Sequence, residues 1–281
     1  MSRESIADEI LFASQQFTLY ISFIILFGGI IGHTIDILVF TSSKPFRNTQ
    51  SAFYLTIESI VNSIHLLLSF SSRIAINGFN NDLTRTSLAW CKIRSFVGST
   101  CTFLSLIIVC LAAIDQYLAT SYNHHLKQFS TLKLAQRVAS LAIVLVSLHG
   151  IPFLILIRID PIRGCVPFNE YFVSYITYIY YLILTGFLPI CITSLFATLA
   201  YTNVRRIIRS QIPIVRRRLD KQLTAMILVR VVFLVTTTLP YIMYRIYSLK
   251  TKINSNNQIQ FAIIQLVGSV TYSLFYLNYS V

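Results

Sequence analysis

Runs of about twenty apolar residues alternate with short polar connections from one end of this chain to the other. They fall at 17–40, 52–72, 92–117, 136–157, 171–201, 223–247 and 259–281. A helix needs about 20 such residues to cross the hydrocarbon layer of a bilayer, so each run is a candidate span. The pattern predicts an all-α membrane protein, a bundle of seven transmembrane helices, preceded by a short polar segment at 1–16. Connections are short except for 202–222, and no internal repeat or low-complexity tract interrupts the series.

Composition sharpens that picture. The chain has 281 residues, of which 55% are hydrophobic and only 12% charged, whereas soluble domains carry about 25% charged residues. Mean hydropathy is +0.67. The formal net charge of +13 invites a nucleic-acid reading, but basic residues separated by long apolar runs follow the positive-inside rule instead. The N-terminus lacks the basic start and short apolar run of a cleavable leader, so the first span is expected to insert uncleaved. No nucleophile, base and orienting group fall into a pattern that marks an active site. No enzymatic activity and no cofactor are expected.

Counting cations in alternate connections sets the orientation. With the N-terminus outside, the inner connections hold twelve: Lys44, Arg47, Lys127, Lys133, Arg137, Arg205, Arg206, Arg209, Arg216, Arg217, Arg218 and Lys221. The outer side holds seven: Arg3, Arg73, Arg85, Arg158, Arg163, Lys250 and Lys252. Glu4, Asp8, Glu9, Asp82, Asp160 and Glu170 also fall outside. The expected topology is N-terminus out, with 1–16 extracellular.

The third run carries the most specific pattern. Cys91 stands at its start and Asp115-Gln116-Tyr117 at its end. The 116 − 91 = 25 steps between Cys91 and Gln116 span about 37 Å at the helical rise, more than the roughly 30 Å of hydrocarbon. Thiol and polar triplet therefore emerge on opposite sides. This helix resembles the third helix of rhodopsin-like G-protein-coupled receptors, which carries a disulfide cysteine outside and Asp/Glu-Arg-Tyr inside at this separation. The resemblance covers essentially the whole chain and implies a plasma-membrane receptor that couples an extracellular ligand to a heterotrimeric G protein.

Several residues take on expected roles from that resemblance. Cys165, in the outer connection 158–170, is the partner of Cys91, and their disulfide would tie the connection over the mouth of the bundle. Cys101, Cys110 and Cys191 lie within spans, where cysteine serves as a small apolar packing residue. Asp115, Gln116 and Tyr117 are the coupling triplet, with Gln116 replacing the family's arginine. A glutamine cannot form an ion pair, so its latch to an acid on the sixth span, Asp220, would be a hydrogen bond between a neutral and a charged group. Pro152, Pro189 and Pro240 interrupt the fourth, fifth and sixth spans, where proline frees a carbonyl and kinks a helix. Kinks at Pro189 and Pro240 are expected to let the inner halves of those helices swing. Thr237-Thr238-Leu239-Pro240 stands where the family has Cys-Trp-x-Pro, so the bulky tryptophan is missing.

Polar residues inside the first, second and seventh spans form a third set. His33 stands where the family has Asn, and Asn62 at or beside its sodium-binding Asp, which puts sodium regulation in doubt. Asp36 and Asn278 complete this polar core. Glu58 is expected near the inner surface with its charge unburied. Asn278 resembles the residue just before the family's Asn-Pro-x-x-Tyr, so the sequence stops short of that motif and of an eighth helix. His33, Asp36, Glu58 and His65 also permit a zinc site or the proton path of a seven-span transporter or channel. His149 is solitary and His124-His125 lie in a connection, so no metal is expected.

The ligand pocket is expected among Gly98, Thr102, Tyr181, Thr185, Tyr241, Arg245, Tyr272 and Tyr276, with Arg73 at the rim. Gly98 replaces the aspartate of amine receptors, and the seventh span lacks the lysine that retinal needs. The helices resemble divergent invertebrate receptors of the neuropeptide type, implying a peptide ligand with an aromatic or anionic group. The basic connection 202–222 is expected to extend the fifth and sixth helices toward anionic lipid and the G protein.

Overall fold

The computed structural model describes residues 3–43, 49–79, 81–160, 164–207, 214–250 and 258–280. Among them are seven helices long and apolar enough to cross a membrane: Ser5–Ser42, Gln50–Phe79, Leu88–Thr120, Leu132–Ile155, Glu170–Arg205, Thr224–Ser248 and Gln258–Asn278. These are the seven predicted spans, with ends shifted by a few residues except at the first. The first packs against the second and seventh, the third against the second, fourth and fifth, and the sixth against the fifth and seventh, which closes a ring.

The third helix is the axis of the bundle. Its most apolar window is 61% buried, against 22% for those of the first and fourth helices. It is one uninterrupted helix from Leu88 to Thr120, capped by Ser87, whose hydroxyl accepts from the Trp90 amide. Polarity is inverted relative to a soluble protein. Ile24 and Ile31 on the first helix are 69% and 59% exposed, while Asn62 is 1% and Thr193 0% exposed. Large apolar side chains face where lipid tails would lie, and hydroxyls and amides turn inward, as a bilayer solvent requires. Several interior Ser and Thr hydroxyls satisfy themselves on the preceding turn, as Thr120 does on the Gln116 carbonyl at 2.8 Å and Thr193 on the Pro189 carbonyl at 2.6 Å.

Three features depart from the sequence expectation. The first helix begins at Arg3 rather than at 17. Its polar first turns are held by neighbours: Ser14 shares a hydroxyl–hydroxyl bond of 2.9 Å with Ser269 on the seventh helix, and Gln15 Nε2 donates to the Gly78 carbonyl at 2.7 Å. The second helix widens into a π-helical stretch over Leu66–Phe70 that buries Leu66, Ser69 and Phe70. The fifth does so over Tyr175–Phe187, ending just before Pro189. Pro152 and Pro240 lie inside continuous helices.

The connection after the fourth helix folds as an antiparallel hairpin, Ile157–Asp160 with Gly164–Pro167, pairing Ile157 with Pro167 and Ile159 with Cys165. Gly164 takes a φ of +76, a conformation in which a side chain is strained. Gly150 has a different reason for being small: a Cβ there would stand 2.7 Å from Phe96 Cε2, so the fourth helix approaches the third closely only because no side chain intervenes. Cys101 is partly and Cys110 fully buried, but Cys191 is exposed, so the packing role expected of it is corrected to a place on the outer face of the bundle. The fifth helix continues to Ile207 and the sixth begins at Ile214, beyond both predicted spans. The remainder of the basic connection, with the side chain of Asp220, lies outside the described residues.

Candidate functional site

A disulfide joins Cys91 to Cys165, whose Cα atoms are 5.8 Å apart. It pins the second strand of the hairpin to the start of the third helix. Beneath the hairpin, Cys91, Phe153, Ile157, Phe172, Ile176 and Tyr180 form a buried apolar cluster. Below it opens a cavity of about 280 Å³. Tyr180 fixes one wall by donating its hydroxyl to the Ser99 carbonyl at 2.7 Å.

The cavity gathers most of the residues expected to form a pocket. Arg73 comes from the second helix, Gly98 and Thr102 from the third, Tyr181 from the fifth, Tyr241 and Arg245 from the sixth, and Tyr272 and Tyr276 from the seventh. Thr185 does not join them: it is buried, and its hydroxyl is turned back onto the Tyr181 carbonyl at 3.1 Å. The expectation for Thr185 as a lining residue is therefore corrected. Arg94, which the sequence reading passed over, lines the same cavity.

Tyr272 organises the cationic side of this space. The Arg73 guanidinium lies over its ring, 3.2 Å from the centroid. Arg245 donates to the Tyr272 hydroxyl at 2.7 Å and to the Tyr181 hydroxyl at 2.8 Å. The floor is aromatic: Tyr241 stacks on Phe275 with centroids 3.9 Å apart, and Phe70 stacks on Tyr276 at 4.2 Å.

At the opposite end of the third helix Gln116 is 2% exposed and bridges two helices. Its Oε1 accepts from the Ser51 hydroxyl of the second helix at 3.0 Å, and its Nε2 donates to Thr224 Oγ1 of the sixth at 2.9 Å. Asp115 accepts from the Ser130 hydroxyl at 3.0 Å, while Gln50 Nε2 donates to the Ser130 carbonyl at 2.9 Å. The connection 121–131 is thereby tied to both the second and third helices. Tyr117 packs on Phe196 of the fifth helix, centroids 5.5 Å apart. The expected contact of Gln116 with Asp220 involves a side chain outside the described residues.

Between these two ends lies a polar layer. Glu58 is 6% exposed and paired with Arg230 of the sixth helix. Arg230 donates to Glu58 Oε1 through Nε at 3.0 Å and Nη2 at 2.5 Å. Its Nη1 donates to the Asn278 carbonyl. The expectation that the Glu58 charge stays unburied is corrected: a carboxylate this deep is tolerated because a guanidinium meets it. His33 Nε2 lies 2.7 Å from the Tyr279 carbonyl, joining the first helix to the seventh. His65 is enclosed by the rings of Phe275, Tyr276 and Tyr279. Both polar atoms of the Asn62 side chain and the Asn278 Oδ1 are buried without a partner among the described residues. Asp36 is only half-buried. Among the described residues, no three His, Cys, Asp or Glu side chains converge as metal ligands would.

A disulfide-anchored hairpin, a cavity beneath it and a polar bridge at the far end of the central third helix stand in line along one bundle. No individual curated protein shows significant similarity to the chain. A family model described as 7 transmembrane receptor (rhodopsin family) matches residues 35–280, and the chain belongs to that family of multi-pass membrane receptors.

Proposed function

We propose that this protein sits in the plasma membrane with its N-terminus outside, takes an extracellular peptide at the hairpin end and activates a heterotrimeric G protein at the Asp115 end. The observation that carries this reading is the two-ended third helix. It holds the hairpin at Cys91, presents Gly98 and Thr102 to the covered cavity and Gln116 to the contact between second and sixth helices. The excess of cations in the connections on the Gln116 side supports the orientation.

In the mechanism, ligand occupancy favours one packing of the sixth helix over another. Tyr241 is the side chain placed to report occupancy, since it lines the cavity and stacks on Phe275. Displacing it moves the sixth helix at Pro240. The Arg230–Glu58 pair and the Gln116–Thr224 hydrogen bond both span the route by which that helix leaves the second and third. Both must break for the G-protein cavity to open. The contact of His33 with the Tyr279 carbonyl holds the first helix to the seventh meanwhile.

The transporter reading has little to support it. Glu58 is engaged by Arg230, and His65 is packed among aromatic rings.

The test is co-expression of the full chain with a panel of Gα subunits, challenge with pooled short peptides, and staining of an N-terminal tag on intact cells. Peptide-dependent nucleotide exchange with an accessible tag is expected. An inaccessible tag, or solute flux without nucleotide exchange, would overturn the reading.

A further inference from the structure

Three arginines meet in the cavity under the hairpin, and among the described residues no aspartate or glutamate lines it. Arg73, Arg94 and Arg245 arrive from the second, third and sixth helices, so their convergence is a product of the fold and not of local sequence. Asp82, an acid at that end, does not line the cavity; Arg85 Nε lies 3.2 Å from its carboxylate and the Thr84 amide donates to it at 3.0 Å. Within the cavity the cations are held by phenols, which accept hydrogen bonds but are not carboxylates. Tyr272 supports two of them, Arg73 on its ring face and Arg245 on its hydroxyl.

The hydrogen-bonding capacity of these guanidiniums is not used up. The Nε atoms of Arg73, Arg94 and Arg245 are all buried and lack a partner among the described residues. Clustered guanidiniums without a counter-ion are costly away from water, and a planar anion that accepts two parallel N–H bonds is the group that matches their fork. Much of the remaining wall is aromatic, with Tyr181, Tyr241, Phe275 and Tyr276 lining it beside the hydroxyl residues Ser69, Ser95 and Thr102. The volume of about 280 Å³ lies just below the roughly 300–1,000 Å³ range of small-ligand sites. It holds the end of a ligand, not the whole of a peptide.

We infer that this cavity recognises a carboxylate carried on an aromatic body, with the Arg73–Arg94–Arg245 cluster as counter-charge and the tyrosine wall as the surface for the ring. This deepens the receptor reading and rests on the cavity being its ligand site. Two sources supply such a group: the free carboxyl terminus of a peptide ending in an aromatic residue, or a small aromatic acid.

The experiment uses the full chain, purified in detergent, and reads thermal stabilisation by matched pairs. The pairs are N-acetyl-tyrosine against N-acetyl-tyrosinamide, and tripeptides ending in Phe or Tyr as free acids against their C-terminal amides. The acids are expected to raise the unfolding temperature at millimolar concentration and the amides to leave it unchanged. Stabilisation by the single amino acid derivative points to a small acid, and stabilisation by the tripeptide acids alone to a peptide carboxyl terminus. Arg94→Gln is expected to weaken the acid's apparent affinity roughly tenfold to a hundredfold. Arg94→Lys, which keeps the charge but loses the fork, is expected to fall between and serves if the Gln variant is not recovered. Equal effects of acid and amide, no effect of any acid, or an Arg94 variant that binds like the parent would each overturn the inference. No G protein is present, so failure of coupling leaves this result standing, and an activating ligand that carries no anion would sink the inference while leaving the receptor reading intact.

Discussion

Arg230 and Glu58 stand 172 positions apart in the sequence, yet two guanidinium nitrogens of the first reach the same carboxylate oxygen of the second, at 3.0 and 2.5 Å. Their side chains are only 11% and 7% exposed, so neither charge has water to fall back on. A buried pair adds little over an apolar pair of similar shape, but removal of one partner leaves a naked charge.

Arg230→Met is therefore expected to cost about 3–5 kcal/mol, visible as lost surface expression and a lower unfolding temperature in detergent. The double variant Glu58→Leu/Arg230→Met should recover most of that loss. If the single variant is as stable as the parent, the pair does not hold the second and sixth helices together.

Gln116 donates a hydrogen bond to Thr224 of the sixth helix, and under the proposed function this neutral contact is the latch that activation breaks. Gln116→Arg is expected to lower nucleotide exchange in the absence of ligand, and Gln116→Ala to raise it. Equal basal exchange in the parent and the Arg variant would exclude a latch at this position.

The disulfide closes a loop of 74 residues and anchors the hairpin. Cys165→Ser is expected to destabilise the hairpin end by about 2–5 kcal/mol and to reduce surface staining, with a matching effect from Cys91→Ser and no further loss in the double variant. Additive losses would mean that the two sulfurs act separately.

Gly150→Leu places a side chain where Phe96 already sits. Separation of the third and fourth helices should follow, read as a fall in thermal stability, while Gly28→Leu, with nothing within 4 Å of a Cβ, should be tolerated. Equal effects at both positions would show that the close approach carries no energetic weight.

Much of this architecture is legible in the sequence because the bilayer imposes one strong rule on it. A membrane-spanning segment must be long and apolar, and seven such runs can be read without knowing how they pack. The Cys91 and Asp115 ends of the third helix follow from its length alone. Pairing between helices is another matter, since it depends on how each one is rotated. Glu58 was visible as an acid in an apolar run, and Arg230 as a cation in another, but nothing local says that they face each other. The usable signal was that an intramembrane charge demands a partner. Applied to every span, it points to Lys92, Arg94, Arg230 and Arg245, which belong to no connection and so drop out of a loop count. Thr185 misleads for a related reason: four positions on from Tyr181 is the same face of an α-helix, whereas the fifth helix is π-helical over Tyr175–Phe187 and its turns come round later. The hairpin at 157–167 was hidden because its apolar first residues continue the fourth span without a break. The helix at 3–16 was hidden because its polar residues bond to the second and seventh helices, a pairing that composition does not reveal.

That extended first helix has a consequence for how anything arrives at the mouth of the protein. Its 40 residues measure about 60 Å, twice the thickness of the oily layer, so several turns stand clear of it as a stiff post braced by Ser269 and Gly78. On the proposed reading, a visiting molecule meets that post on one flank and the disulfide-pinned hairpin across the opening, so the doorway is walled unevenly.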